Sequence, residues 1–500
     1  MTFTIRDCMQ ISSLWNIEKE FRTKVSLLAI TFGSLMGSQV LWRSLKGSIF
    51  AKIIGAAYVP DAKIVSILVL VPLILIYSRL VDVLRRHQLV YAFTIFHAIG
   101  GLIFAGLLAH PTLGIANTTP SPHRWLGWFF YLFMESFSAF LSTTFWSFAN
   151  SVNKPKDAKR YYGLFVAGSK IGGIVVSGLF WVILTVATDT GSSLTAWLRP
   201  GGGAIGDHII LPIILAVGSL LLLAAALCIY LLKNLVPGYH MHGYEAVYQL
   251  EKQRAKEEIR EEKQEEKLPF SFRRSLSNAW EIVSGSLDGL RVILTHSYVL
   301  GIFCLALFHD MIMTIFDFRV LMSANAAYET VGQLVLFYLS YFFIMNVVGL
   351  AISLFGTTPI QRMLGNRAAL LIYPTLCVIL VVATFFSPTP YTYWVAIVLL
   401  RAFNYGLNHP IREVLYIPTT KEIKFKAKAW TDAFGTRIAK GSSSFLYKGT
   451  LRLAPHAGFL VCSGFTFAIT CIWVVVSYFL GRTLQDALDK KEVIGKEETA

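Results

Sequence analysis

Charge is scarce in this chain. Only 15% of its 500 residues are Asp, Glu, Lys or Arg, where a soluble domain carries about a quarter. The mean hydropathy of +0.57 agrees, and together they exclude an ordinary water-soluble globule. Cysteine is sparse too. Cys8, Cys228, Cys304, Cys377, Cys462 and Cys471 are scattered, five of them in or beside apolar stretches, with no CxxC pair. That pattern implies neither a disulfide framework nor a zinc site. The chain lacks GxxxxGK[ST], HExxH and GxSxG, and its eleven His residues form no convincing metal cluster. Gly201-Gly-Gly-Ala-Ile-Gly206 fits GxGxxG by letter, but no strand precedes it and it falls in a loop. His309–Asp310 is the nearest acid–base pair, and it reads as a buried polar pair or a proton site rather than a catalytic dyad. No nucleophile-and-base constellation is found, so neither an enzyme nor a cofactor is expected. No small-residue cleavage site follows the first apolar run, which argues against a removable signal peptide.

Apolar runs are what the chain has. About twelve stretches approach the roughly 20 residues that cross the hydrocarbon core as helix. They lie near 24–46, 61–82, 88–110, 125–150, 160–186, 208–232, 297–322, 329–356, 366–387, 391–416, 427–449 and 457–480. The eleventh is the weakest on hydropathy, as a helix lining a watery cavity would be. The expected fold class is an all-α polytopic membrane protein with two six-helix halves. The expected division is an N-terminal half at 1–235, a charged linker and amphipathic helix at 236–296, a C-terminal half at 297–485 and a tail at 486–500. Each half carries a short basic turn at its second-to-third helix junction, Ser78-Arg-Leu-Val-Asp-Val-Leu-Arg-Arg86 and Thr358-Pro-Ile-Gln-Arg-Met-Leu-Gly-Asn-Arg367. These turns resemble, in degenerate form, the short basic loop of major facilitator superfamily transporters. Parallel repeats with a midplane site between them are the logic of that fold.

The formal net charge is +15, yet its placement points to membrane topology and not to nucleic acid. Arg79, Arg85 and Arg86 follow the second stretch, and Lys154, Lys156, Lys159 and Arg160 the fourth. Arg362 and Arg367 follow the eighth, and Lys421, Lys424, Lys426 and Lys428 the tenth. Alternate loops are thus basic, and the positive-inside rule predicts that they and both termini lie in the cytoplasm. The Lys421–Lys428 turn would also attract anionic lipid. From Lys233 to about Arg274 the chain is hydrophilic, with mixed charge that suits a solvated helix or a linker. Ser275–Ser297 reads as an amphipathic surface helix. Gly168-x-x-x-Gly172 permits close helix packing. Asn117-Thr-Thr119 matches a glycosylation sequon.

Charges inside the apolar stretches stand out against this background. Arg43 and Lys46 lie in the first, Glu135 in the fourth, Lys170 in the fifth, and Asp310, Asp317 and Arg319 in the seventh. Arg401 lies in the tenth, and Asp432, Arg437 and Lys440 in the eleventh. Lipid solvates charge poorly, so such groups face a bundle interior or a water-filled cavity. Three readings compete: mutual ion pairs, a proton relay, or cations that hold the phosphates or carboxylates of a substrate. Arg supplies a fork that matches phosphate oxygens and Lys a compact point charge. Phe145, Trp146 or Tyr405 could stack a base.

Several motifs resemble the non-mitochondrial ATP/ADP translocases of plastids and intracellular bacteria. Trp42-Arg-Ser-Leu-Lys-Gly-Ser48 is similar to that family's first-helix segment. Met134-Glu-Ser-Phe-Ser138 with Phe145-Trp-Ser-Phe-Ala-Asn150 resembles its fourth helix, and Lys159-Arg-Tyr-Tyr-Gly-Leu-Phe165 its following loop. Tyr416-Ile-Pro418, the lysine-rich turn to Ala429, Asp432 and Gly435-Thr-Arg-Ile-Ala-Lys-Gly441 resemble its late elements. The resemblance implies exchange of ATP for ADP, or uptake of other nucleotides, in a major-facilitator-like fold. Its functional charges fall on Lys46, Glu135, Asp317 and Lys440. With Arg43, Arg319 and Arg437 these form the expected substrate site, and Asn150, Arg401, Arg412, Glu413 and Asp432 are further candidates. The chain departs from the pattern at Gly47, His409 and Lys170. A proton-coupled importer of another nucleotide or organic anion, using Glu135, Asp310 or Asp317, is the alternative.

Overall fold

A computed structural model describes residues 19–153, 155–188, 205–237, 290–352, 357–420, 423, 427–490 and 493–494. Most of the charged linker, residues 275–289 of Ser275–Ser297, most of Gly201–Gly206 and Lys421, Lys424 and Lys426 lie outside the described residues. What is described is almost wholly helical. The first six helices are α1 (Lys19–Phe50), α2 (Val59–Val83), α3 (Arg86–Ala109), α4 (Trp125–Val152), α5 (Pro155–Thr188) and α6 (Asp207–Leu235). Then come α7 (Ser297–Ala327), α8 (Val331–Ala351), α9 (Thr357–Phe386), α10 (Pro390–Phe403) and α11 (His409–Val414). The last are α12 (Lys428–Trp430), α13 (Thr436–Thr450) and α14 (Pro455–Lys490). One π-turn, Asn404–Asn408, joins α10 to α11, and another, Thr431–Gly435, joins α12 to α13. With those joins the described chain runs as twelve helical rods.

Eight stretches of the described chain are long and apolar enough to cross a membrane. The α12–α13 rod is not among them, because Lys440, three serines and Lys448 break its hydropathy. Lipid demands that backbone polar groups be satisfied internally, which is why these apolar runs become helices. Their ends are marked by local chemistry. Thr330 caps α8 in a reciprocal box with Gln333. Thr389 caps α10, with Pro390 at its start. At the close of α1 the π-turn Ala51–Gly55 ends on Gly55 with φ 123°, a backbone angle that only glycine adopts without strain.

Packing places α1 at the centre of the first six rods, against α5 and α6. The approach to α5 is very close: a Cβ added at Gly172 would lie 2.3 Å from the Gly33 carbonyl oxygen. One added at Gly168 would lie 2.7 Å from the Ala29 oxygen. Buried Trp42 lies against Gly218 and donates from Nε1 to the Leu215 carbonyl at 3.2 Å. In the second set α7 packs on α13 and α14, and α9 on α14. The sets meet where α5 packs on α8 and α2 on α13.

Candidate functional site

A cavity of about 310 Å³ lies between the two sets. α1 presents Gln39, Arg43 and Lys46 to it, spaced i, i+4, i+7 along one helix face. α7 repeats that spacing with Asp310, Thr314 and Asp317. α2 adds Lys63, α4 Glu135 and Ser138, and α13 Lys440. α10 and its π-turn add Arg401, Asn404 and Tyr405, and π-turns recur at functional sites because they re-aim side chains. Five of the lining residues are cations and three are acids, leaving the lining at +2 with His309 neutral.

The charges are organised in two clusters. Glu135 is held by two lysines: Lys46 Nζ pairs with Oε2, and Lys63 Nζ donates to Oε1 at 2.6 Å. Across the cavity Arg401 donates from Nη2 to Asp317, at 2.6 Å to Oδ1 and 2.7 Å to Oδ2. One nitrogen makes both bonds, and the buried Arg401 Nε has no hydrogen-bond partner among the described residues. Two cations have no acid within ion-pair distance among the described residues. The Arg43 guanidinium lies over the Phe342 ring, 5.5 Å from its centre. The Lys440 ammonium has no ion pair or hydrogen bond among the described residues. Asp310 has no nearer ionisable neighbour than His309, whose Nε2 lies 4.0 Å away.

Other candidates lie apart from this cavity. Arg319 turns toward α14, donating to Ser463 Oγ at 2.8 Å and the Phe459 carbonyl at 3.2 Å. Arg437 does not line the cavity, although it lies on the same helix as Lys440. Glu413 pairs with Lys428, Asp432 is exposed in its π-turn, and Arg412 lies on α11 beside Glu413. Asn150 accepts from the Tyr162 hydroxyl at 2.6 Å near the end of α4. Lys63 is the charged cavity residue that sequence reading missed. It stands five residues into α2, at the edge of its apolar stretch, where a lysine reads as an interface anchor.

At the end where α1 leads into α2, the two sets are latched together. Lys52 Nζ donates to the Tyr328 and Asn325 carbonyls, at 2.6 and 3.2 Å, at the C-terminus of α7. The Asp207 carboxylate accepts from the Gly332 N–H at 2.6 Å, at the N-terminus of α8. Each charge thus meets the helix end of opposite polarity. Lys448 on α13 pairs with Asp61 on α2. Every ion pair and hydrogen bond drawn between described residues of opposite sets lies at this end.

Two six-rod sets closing on a cationic chamber define a polytopic all-helical protein of major-facilitator-like fold. Solved structures share the fold. A bacterial homologue of the iron transporter ferroportin, in an inward-facing state, aligns at TM-score 0.56 and 12% identity over 93% of this chain and 100% of its own. A D-xylose-proton symporter aligns at TM-score 0.51 and 13% identity over 92% of this chain and 96% of its own. A family model described as the TLC ATP/ADP transporter matches residues 6–393 and 391–484, and the chain belongs to that family. "ADP,ATP carrier protein 4" of Rickettsia conorii is 24% identical over 520 residues, covering 95% of this chain and 94% of the relative. "ADP,ATP carrier protein 1" of Chlamydia pneumoniae is 23% identical over 536 residues, covering 98% and 97%. The resemblance carried by the motifs therefore extends over nearly the whole chain. The protein is a membrane nucleotide transporter and not an enzyme.

Proposed function

We propose that this protein exchanges ATP for ADP by alternating access, with the nucleotide phosphates bound in the cationic chamber. One observation carries the reading: cations from α1, α2, α10 and α13 converge on a single cavity, and two of them, Arg43 and Lys440, have no acid within ion-pair distance among the described residues. A phosphate chain would take up those two. It would also compete with Glu135 for Lys46 and Lys63, and with Asp317 for Arg401. The carboxylates then serve as counter-charges that hold the lysines and the arginine while the site is empty. Exchange follows from the same charges. An unliganded lining at +2 crosses the low-dielectric interior poorly, whereas a nucleotide-loaded one crosses as a near-neutral or anionic complex. Two moving halves, 1–235 and 297–485, with twelve crossings and both termini cytoplasmic, fit the alternation of basic loops. On that orientation the latched end faces outward, so the described state is closed to the outside.

Labelled ATP offered to vesicles preloaded with ADP, phosphate or nothing tests the reading. Uptake should need internal nucleotide, and Lys46→Gln and Lys440→Gln should each depress it while protein still reaches the membrane. Uptake unaltered in both variants rejects the site. Asp310 favours one second reading, because it faces the cavity with His309 as its one group at ion-pair distance among the described residues. Proton-coupled import through that acid requires uptake into empty vesicles that collapses with an uncoupler.

A further inference from the structure

The phosphate reading leaves open where the base sits. Three cation–π contacts surround the cavity, and they differ in one respect. Arg43 lies over Phe342 and Lys46 over Tyr131, rings that are 3% and 4% exposed and closed into the core. The third is Lys170 over Tyr405, with Nζ 4.4 Å from the ring centre, and Tyr405 is 43% exposed. Tyr405 is also the aromatic residue among those lining the cavity, apart from the His309 imidazole. Phe145 and Trp146 are not open to a ligand in this way. Phe145 is stacked on Phe32 at 4.1 Å, and Trp146 packs edge-on to Phe32 and against Tyr162.

The setting of Tyr405 is specific. It lies in the π-turn Asn404–Asn408, four residues after Arg401, so the ring and the Arg401–Asp317 pair share one side of the α10 rod. Lys170 comes from α5, in the opposite set of helices. Its ammonium has no ion pair or hydrogen bond among the described residues, so the ring face is its drawn partner. A cation on an aromatic face is a weak hold, readily exchanged for a phosphate.

Resting on the nucleotide reading above, we propose that Tyr405 is the stacking platform for the nucleotide base and that Lys170 covers the ring while the site is empty. As the nucleotide enters, Lys170 leaves the ring and turns to the anion, and the base takes the vacated face. Base stacking on an aromatic side chain is worth about tenfold or more in affinity and needs no particular base edge. Tyr405 therefore selects for a base over a bare polyphosphate, and Asn404 next to it supplies an amide that can read the base edge.

Calorimetric titration of the purified full-length protein in nanodiscs, with ATP, tripolyphosphate and adenosine as probes, tests this. Tyr405→Ala should weaken ATP about tenfold and leave tripolyphosphate unchanged, which also shows that the variant is folded. Tyr405→Phe should retain ATP affinity. Lys170→Met should bind adenosine several-fold more tightly than the parent, and adding Tyr405→Ala should abolish that gain. Equal loss of ATP and tripolyphosphate in Tyr405→Ala, or no loss of either, overturns the platform. Unchanged adenosine binding in Lys170→Met overturns the cover. If the unaltered protein binds tripolyphosphate but ATP no better, the base subsite fails and the phosphate site stands. If it binds neither, the nucleotide reading itself fails.

Discussion

Glu135→Gln separates a counter-charge from a substrate ligand. The carboxylate pairs with both Lys46 and Lys63, and its side chain is 12% exposed, against 13% and 17% for theirs. Hydrogen bonds to charged groups contribute about 1.5–3 kcal/mol each. A phosphate that takes over these lysines must first break bonds of that size. The amide keeps the shape but removes the competing charge, and the lining rises from +2 to +3. Recovery of one such bond at the low end, about 1.5 kcal/mol, tightens ATP binding about tenfold. Affinity gains appear mainly as slower release, so the exchange rate should fall by a similar factor. The empty variant should also melt at a lower temperature, because two sheltered ammonium groups lose their partner, and ATP should raise that temperature more than it does in the parent. Calorimetry, melting curves and counter-exchange in proteoliposomes read the three effects. Weaker ATP binding in Glu135→Gln would show that the carboxylate holds the substrate or orders the site, and would refute competition.

Three further outcomes follow from the geometry. Asp61→Lys should change the exchange rate about two- to threefold, since a partly exposed pair is worth about 0.5 kcal/mol, and Asp61→Lys with Lys448→Asp should restore it; failure of the swap removes this pair from the latch. Gly172→Leu should prevent recovery of monodisperse protein and Gly172→Ala should lower the melting temperature, because overpacking costs about 1–3 kcal/mol where a Cβ would sit 2.3 Å from the Gly33 oxygen. Arg319→Leu should lower the melting temperature by freeing α14 while leaving ATP affinity within about twofold; a larger affinity loss would place Arg319 in the site after all.

The fold was legible because lipid leaves the backbone few choices. Apolar runs of about 20 residues become helices whatever their neighbours do, and the boundaries expected from the sequence differ from the observed ones mainly at the ends. The eleventh stretch was flagged by its poor hydropathy, and its rod carries Lys440 into the cavity. Which charge faces the cavity was only partly legible. Asp310 and Asp317 are seven residues apart and share a face of α7, while Arg319, two residues beyond Asp317, points elsewhere. Spacing alone could have separated them. Lys63 could not be found that way, because its depth depends on how α2 meets α13 and α4. The π-turns were also invisible, since an extra backbone residue in a helix leaves no compositional trace, yet one of them aims Tyr405.

The charges are divided unequally between the two sets of helices, and that division bears on how exchange is coupled to rocking. α1, α2 and α4 contribute three cations and one acid, a surplus of two positive charges; α7, α10 and α13 contribute two cations and two acids, with no surplus. On the proposed reading, a polyphosphate is therefore drawn first to the Arg43–Lys46–Lys63 side. It would reach Arg401 only by loosening the Asp317 pair, whereas Lys440 has no ion pair or side-chain hydrogen bond among the described residues. The second set would thus contribute least to an isolated anion and most to a ligand long enough to span the cavity, with phosphates on one side and, as proposed, a base on Tyr405 on the other. Such a ligand ties the two sets together through the centre. Once tied there, they can part at the latched end, where Lys52, Asp61, Asp207 and Lys448 hold them in its absence. A small anion bound to the first set alone provides no such tie, so the same charges that attract it give it no means of opening the latch.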